Sequence, residues 1–268
     1  MVAVQGLAVT RHGTSNNTTT PTLVLMHFLG GSQREWDEVL PLLGPDQLSV
    51  TLDMPGFGGS ADISGYAVAE MADSVEATIR ELNLKHYILV GHSMSGKVAA
   101  VVARRAQDRE DRNLTGLVLI APSPPSPEPM TEEKREGMIA SLGHRHEGDF
   151  ARACKYITRN EERDISREVE HRAAHEVLRM NRNAWVAWLT GGSKEDWTER
   201  VGLLTMPALV IAGENDASLG PDSQRKFTLP HLANGRIEVV EGCSHLVPME
   251  RPSQLATLLS NFVRSLIR

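Results

Sequence analysis

Tyr87-Ile88-Leu89-Val90-Gly91-His92-Ser93-Met94-Ser95-Gly96 carries the reading of the fold. An apolar, strand-like run over residues 87–91 ends in a turn that places Ser93 ahead of a helical stretch over 97–105. A serine on a tight strand-to-helix turn sits in strained backbone, so its neighbours two positions to either side must be small. The same turn sets the hydroxyl at a helix N-terminus, where unpaired amides and the helix dipole favour developing negative charge. Gly91 and Ser95 are both small and meet the size requirement. Ser95 stands where glycine is usual, and its Cβ tightens the turn. The plainer reading of Ser93 is a helix N-cap; the strand before it and the partners found further along the chain argue against that.

Working outward, further apolar runs lie at 23–27, 48–53, 117–121, 208–212 and 237–240. They are continuous rather than alternating, as expected of strands covered on both faces. Between two of them, Val68, Met71, Ala72, Val75, Ile79 and Leu82 recur at helical spacing and form one apolar stripe. Strands and helices in alternation predict an open, mostly parallel α/β sheet, with its site at the carboxyl ends of the strands. The alternation stops at Pro122-Ser123-Pro124-Pro125-Ser126-Pro127. From Glu128 to Arg200, 28 of 73 residues are charged and no strand pattern occurs. Helices over 131–142, 150–160 and 166–189 are expected there, as an insertion lying over the sheet rather than ordinary crossover helices.

A serine hydroxyl needs a base to become nucleophilic at neutral pH, and the base needs an orienting partner. The 208–212 strand ends in Gly213-Glu214-Asn215-Asp216, and the 237–240 strand in Glu241-Gly242-Cys243-Ser244-His245. Asp216 competes with Glu214 for the acid role, Glu214 reading as a solvated loop carboxylate. Cys243, two residues before the imidazole, reads as a residue packed on the sheet rather than a nucleophile. In the order Ser93, Asp216, His245, and in the turns around them, the chain resembles the α/β-hydrolase superfamily over nearly its whole length. The motifs are His27-Phe28-Leu29-Gly30-Gly31-Ser32 with Trp36 beyond, Asp53-Met54-Pro55-Gly56-Phe57-Gly58-Gly59-Ser60, the Ser93 turn, Asp216, the 242–245 turn and Glu250-Arg251-Pro252.

The resemblance implies an α/β-hydrolase core over 1–124 and 204–268 with a helical cap over 125–203. It also implies a Ser93–His245–Asp216 triad and an oxyanion hole from the backbone N–H groups of Met94 and Leu29. Phe28 stands where glycine normally follows the histidine, so Phe28 itself is the alternative donor. Phe28, His92, Trp185, Trp188 and Leu246 are the expected pocket residues, with Met180 beside the tryptophans. His27 and His92 also read as supports of their turns, and Asp53 as a brace of its glycine-rich turn. His171 and His175 stand four apart, but Arg172-Ala173-Ala174 between them lacks the glutamate of a zinc-protease helix, so no metal is expected.

The implied activity is cofactor-free hydrolysis of a small to medium, fairly apolar carboxylic ester. Lactonase, thioesterase, amidase or perhydrolase chemistry would use the same triad. Ser93 argues against the aspartate-nucleophile dehalogenases and epoxide hydrolases. Leu246, where carbon–carbon bond hydrolases commonly have tryptophan, lowers that option. A small-molecule receptor on the same fold is the reading from another class; ligand-dependent stabilisation without turnover would mark it. A net charge of −6 with no basic tract speaks against a nucleic-acid partner. Short apolar runs and no signal-like N-terminus speak against membrane insertion or export, and two cysteines make a disulfide framework unattainable. A cytoplasmic monomer or homodimer is expected.

Overall fold

All six apolar runs become strands, five of them buried on both faces; the last, over 237–240, departs from that expectation by lying on a largely exposed edge of the sheet. The computed structural model describes residues 6–14, 19–145, 147–158 and 165–267. The strands are β1 (Val9–His12), β2 (Thr22–Met26), β3 (Ser49–Leu52), β4 (Tyr87–His92), β5 (Leu114–Ile120), β6 (Leu204–Gly213) and β7 (Leu232–Val240). They form one sheet in the order β1-β3-β2-β4-β5-β6-β7, parallel except for β1, which runs antiparallel to β3. This is the α/β-hydrolase architecture. β1 is the strand that the apolar pattern does not mark: Val-Thr-Arg-His is a half-exposed edge with no continuous run. The chain reverses its winding between β2 and β4, so the loops after these neighbours open a crevice at the carboxyl end of the sheet.

Alternate side chains of the central strands feed two cores. Val24, Met26, Leu89, Leu117, Leu119 and Val210 join the core beneath one set of helices, and Leu23, Leu25, Ile88, Val90, Val118 and Ile211 join the other. Helices α1 (Leu40–Leu43), α2 (Val68–Glu81) and α3 (Met94–Asp108) lie in the first half. The segment between β5 and β6 holds α4 (Glu132–Leu142), α5 (Asp149–Ile157), α6 (Arg167–Arg179), α7 (Arg182–Thr190) and α8 (Thr198–Val201). Helix α9 (Pro221–Phe227) separates β6 from β7, and α10 (Val247–Glu250) and α11 (Pro252–Leu266) close the chain. No helix of the described residues is long and apolar enough to cross a membrane.

The helices between β5 and β6 depart from expectation at one point. Residues 166–189 do not form one helix: α6 ends at Arg179 and α7 begins at Arg182. Asn181 breaks the run by capping α7, its side chain accepting from Asn183 N–H at 3.0 Å. Its own N–H donates to Gly56 O at 2.8 Å, which pins the break onto the glycine-rich turn after β3. Thr131 and Ser166 cap α4 and α6 in the same way. Helix α5 ends at Ile157, and residues 159 and 160 of its expected span lie outside the described residues.

Lys97 in α3 is fully buried against the end of this segment. Its ammonium donates to Glu195 O at 3.0 Å and to Gly192 O and Ser193 O at 3.4 Å, 5.9 Å from the Trp188 ring centroid. Burial pushes its pKa down from 10.5 to about 8, against the opposing pull of Glu128, Glu195 and Asp196. Between about pH 8 and 10.5 the unfolded chain therefore holds more protons than the folded one, and stability rises with pH across that window. In denaturant melts, the stability of wild type relative to Lys97→Met is expected to increase from pH 8 to 10 by on the order of 1–3 kcal/mol. A flat or falling difference would contradict a charged, desolvated Lys97.

Candidate active site

Ser93 has φ 54° and ψ −116°, a conformation that costs a non-glycine residue on the order of 1–3 kcal/mol. Hydrogen bonds from three directions hold it. Its N–H donates to Ile120 O at 2.9 Å, and its carbonyl accepts from Gly96 N–H and Ser123 N–H, each at 2.9 Å. A Cβ on Gly91 would lie 2.6 Å from Ser95 O and 2.9 Å from Gly96 N, so the close approach of the two arms requires glycine there. Ser95, the departure from the usual glycine, has a positive use. Its buried hydroxyl lies 2.8 Å from Met26 O as donor and accepts from His92 N–H at 2.9 Å, tying the turn to the end of β2.

The loops after β6 and β7 bring the expected partners to this hydroxyl. Ser93 Oγ lies 2.9 Å from His245 Nε2, and His245 Nδ1 lies 2.6 Å from Asp216 Oδ2. All three residues are buried. The Asp216 carboxylate also accepts from Ser218 N–H at 2.9 Å and Leu219 N–H at 3.1 Å through Oδ1. Burial alone would raise the Asp216 pKa, but the His245 imidazole and these N–H groups hold it well below the usual carboxylate range. Asp216 is thus an acceptor only, and His245 carries its proton on Nδ1 and offers a lone pair from Nε2 to the serine. Glu214 is exposed and accepts from Gly242 N–H at 3.0 Å. Cys243 packs into the core beneath the sheet, where burial pushes its thiol pKa up.

The loop after β2 corrects one expectation. Phe28 N–H is not open to a substrate: it donates to Glu35 Oε2 at 2.9 Å. Leu29 N–H and Met94 N–H find no acceptor among the described residues. The peptide that carries Leu29 N–H is fixed through its other end, since Phe28 O accepts from His27 Nδ1–H at 2.7 Å and from Gly31 N–H at 3.0 Å. His27 Nε2 accepts from Met54 N–H at 3.0 Å, so this ring is neutral, and burial lowers its pKa accordingly. Asp53 braces its turn as expected, accepting from Gln33 N–H at 2.6 Å and Gly59 N–H at 2.7 Å.

The expected pocket residues separate. His92 is fully buried, with both ring nitrogens spent on protein groups, and does not face a pocket. Trp188 packs over Lys97 and Gly192, and buried Leu246 donates its N–H to Glu250. Met180 is buried at the break between α6 and α7. Trp185 and Phe28 do lie by the loop after β2. A Cβ on Gly30 would stand 3.2 Å from Trp185, and Phe28 stacks on Tyr156 at 6.3 Å between ring centroids. A small cavity of about 10 Å³ lies between this loop and α6, lined by Phe28, Gly31, Glu35, Val169, Ala173 and Met249. His171 and His175 pack around the Phe150 ring, and no group of three metal-ligating side chains occurs among the described residues.

Three residues of the site escaped the sequence reading. Glu35 holds Phe28 N–H. The Glu250 carboxylate accepts from Ser244 N–H at 2.7 Å and Leu246 N–H at 2.8 Å, gripping the chain on both sides of His245. Tyr156 of α5 donates its hydroxyl to Leu29 O at 2.8 Å. Glu250 lies in a quoted motif but shows no role there; Glu35 and Tyr156 carry no sequence signal, since each reaches its partner only through the fold.

A model of the alpha/beta hydrolase family matches residues 23–258. The chain belongs to that family. A monoacylglycerol lipase from Xenopus laevis is 24% identical over 264 residues, covering 92% of this chain and 76% of that protein. A 2-succinyl-6-hydroxy-2,4-cyclohexadiene-1-carboxylate synthase from Citrobacter koseri is 37% identical over 84 residues, 31% of this chain and 33% of its own. Among solved structures, a thermophilic esterase from Thermogutta terrifontis superposes with a TM-score of 0.75 at 25% identity, covering 98% of this chain and 94% of that one. A bromoperoxidase from Bacillus anthracis reaches 0.79 at 19% identity, with 96% and 94% covered. This alpha/beta hydrolase thus shares its fold with proteins of differing named activities.

The meeting of the loops after β6 and β7 rests on Gly213, where a Cβ would stand 1.9 Å from Ser244 O. Backbone cannot yield as a side-chain tip can, so Gly213→Ala is expected to cost about 2 kcal/mol or more. It should also displace His245 from Ser93. A thermal melt and a serine-directed probe, run together, check both effects.

Proposed function

We propose that this protein is a serine hydrolase that cleaves carboxylic esters of small to medium apolar substrates through an acyl-enzyme. The observation that carries the reading is the hydrogen-bonded line from Ser93 Oγ through His245 to Asp216, its serine on a strained turn at the start of α3. Ser93 attacks the ester carbonyl while its proton passes to His245 Nε2, and Asp216 stabilises the resulting imidazolium. The N–H groups of Met94 and Leu29 receive the oxyanion. Preset donors of this kind lower the barrier by a few kcal/mol each. His245 returns the proton to the departing alcohol, then takes one from a water that attacks the acyl-enzyme and gives it to Ser93 Oγ as the acid leaves. Residues 125–203 serve as the cap, with Trp185 and Phe28 on the apolar side of the site.

Treatment with a fluorophosphonate, followed by intact-protein mass measurement, should give one adduct, lost in Ser93→Ala. The same variant should lower kcat/KM on p-nitrophenyl esters by about 10⁴-fold or more while its Tm stays within about 2 °C of wild type. Retained turnover in Ser93→Ala would overturn the proposal, and the chain-length optimum of the wild type sizes the acyl pocket.

A further inference from the structure

Glu35 and His92 form a buried pair that the proposed mechanism does not use. Their side chains are 1% and 0% exposed, and Glu35 Oε1 meets His92 Nδ1 in hydrogen-bond contact. Each partner spends its remaining polar atom on a different loop of the site. Glu35 Oε2 accepts from Phe28 N–H at 2.9 Å, and His92 Nε2 lies 2.9 Å from His245 O. A carbonyl oxygen only accepts, so Nε2 holds a proton and a second proton is shared between Nδ1 and Oε1. The pair is therefore net neutral wherever that second proton sits, which makes its complete burial tolerable.

Three constraints meet in it. His92 is covalently next to Ser93. His245 is gripped through its own main chain. Phe28 N–H is withdrawn from the oxyanion site, which fixes the chain one peptide before the Leu29 N–H. We propose that Glu35 and His92 are positioning residues that set the Ser93, His245 and Leu29 N–H groups relative to one another; this rests on the serine-hydrolase reading. Glu35 reaches the pair from a 3₁₀ turn over Gln33–Trp36, which Ser32 starts by accepting from Arg34 N–H and the buried Trp36 anchors in the core. No chain connectivity brings residues 35, 92 and 245 together; only the sheet does.

Two variants separate positioning from filling space. Glu35→Leu combined with His92→Phe replaces the pair by apolar groups, a change that buried ion pairs often survive with stability unchanged or raised. Glu35→Gln keeps both hydrogen bonds, its amide oxygen accepting from Phe28 N–H and its NH₂ donating to a neutral His92 Nδ1. On p-nitrophenyl butyrate the double variant, which also strips Phe28 N–H and His245 O of these partners, is expected to lose 10- to 100-fold in kcat, with KM within about threefold and a lowered Tm but a folded chain. Glu35→Gln should rescue kcat to within about threefold of wild type. A folded double variant with wild-type kcat overturns the proposal, as does a folded Glu35→Gln that loses as much as the double variant. Proton NMR reports the pair without turnover. One downfield ring proton should vanish in the double variant and another in Asp216→Asn; absence of the first from wild type also overturns the proposal. Failure of wild type to take the fluorophosphonate, with that proton present, counts against the hydrolase reading alone.

Discussion

The backbone of Ser93, held at φ 54° between β4 and α3, is the constraint around which the molecule is arranged. A left-handed serine is stable only where its surroundings leave no alternative. Here β5 takes its N–H, Gly96 and Ser123 fill its carbonyl, and Ser95 reaches across to β2. The strained residue thus draws its support from both strands beside it. The same geometry lifts the hydroxyl out of the sheet toward the loops after β6 and β7.

The loops of the site, after β2, β3 and β7, are held by buried acceptors rather than by their own regular structure. Glu250 takes the N–H groups on either side of His245, Asp53 those of Gln33 and Gly59, and Glu35 that of Phe28. Each is a carboxylate receiving N–H donors, a pattern that is strong when dry and costly when any partner is lost. Loops held in this way preset the donors and acceptors of a site, so that developing charge meets dipoles that need not reorganise. The helical segment above adds its own restraint through Tyr156 on Leu29 O and Asn181 on Gly56 O.

Much of this was legible in the chain. Continuous apolar runs mark parallel strands where both faces are covered, and all six emerge as strands, although β7 starts well before its apolar run and is largely exposed. The two small residues around Ser93, and acid and imidazole each one loop beyond a strand, were readable for the same reason: their spacing is local. β1 was not, because a short edge strand buries too little to show a pattern. The break at Asn181 was not, because an amide caps a helix there only when Gly56 of a distant turn takes its N–H. The pocket suffered most. Trp188 and His92 read as near the site by position, yet Trp188 turns to Lys97 and His92 to Glu35.

By itself, the sequence determined the six strands after the first and the alternation of helices between them, the small residues of the Ser93 turn, and the three loops whose side chains carry the candidate chemistry. Each of these depends on neighbours within a few residues, where period and residue size act directly. Only the tertiary structure decided which polar groups are spent on one another: Phe28 N–H on Glu35, His92 on His245 O, and Leu29 O on Tyr156. Hydrogen-bond capacity is finite and short-ranged, so its allocation among groups dozens of residues apart is settled only when the sheet has brought them within 3 Å.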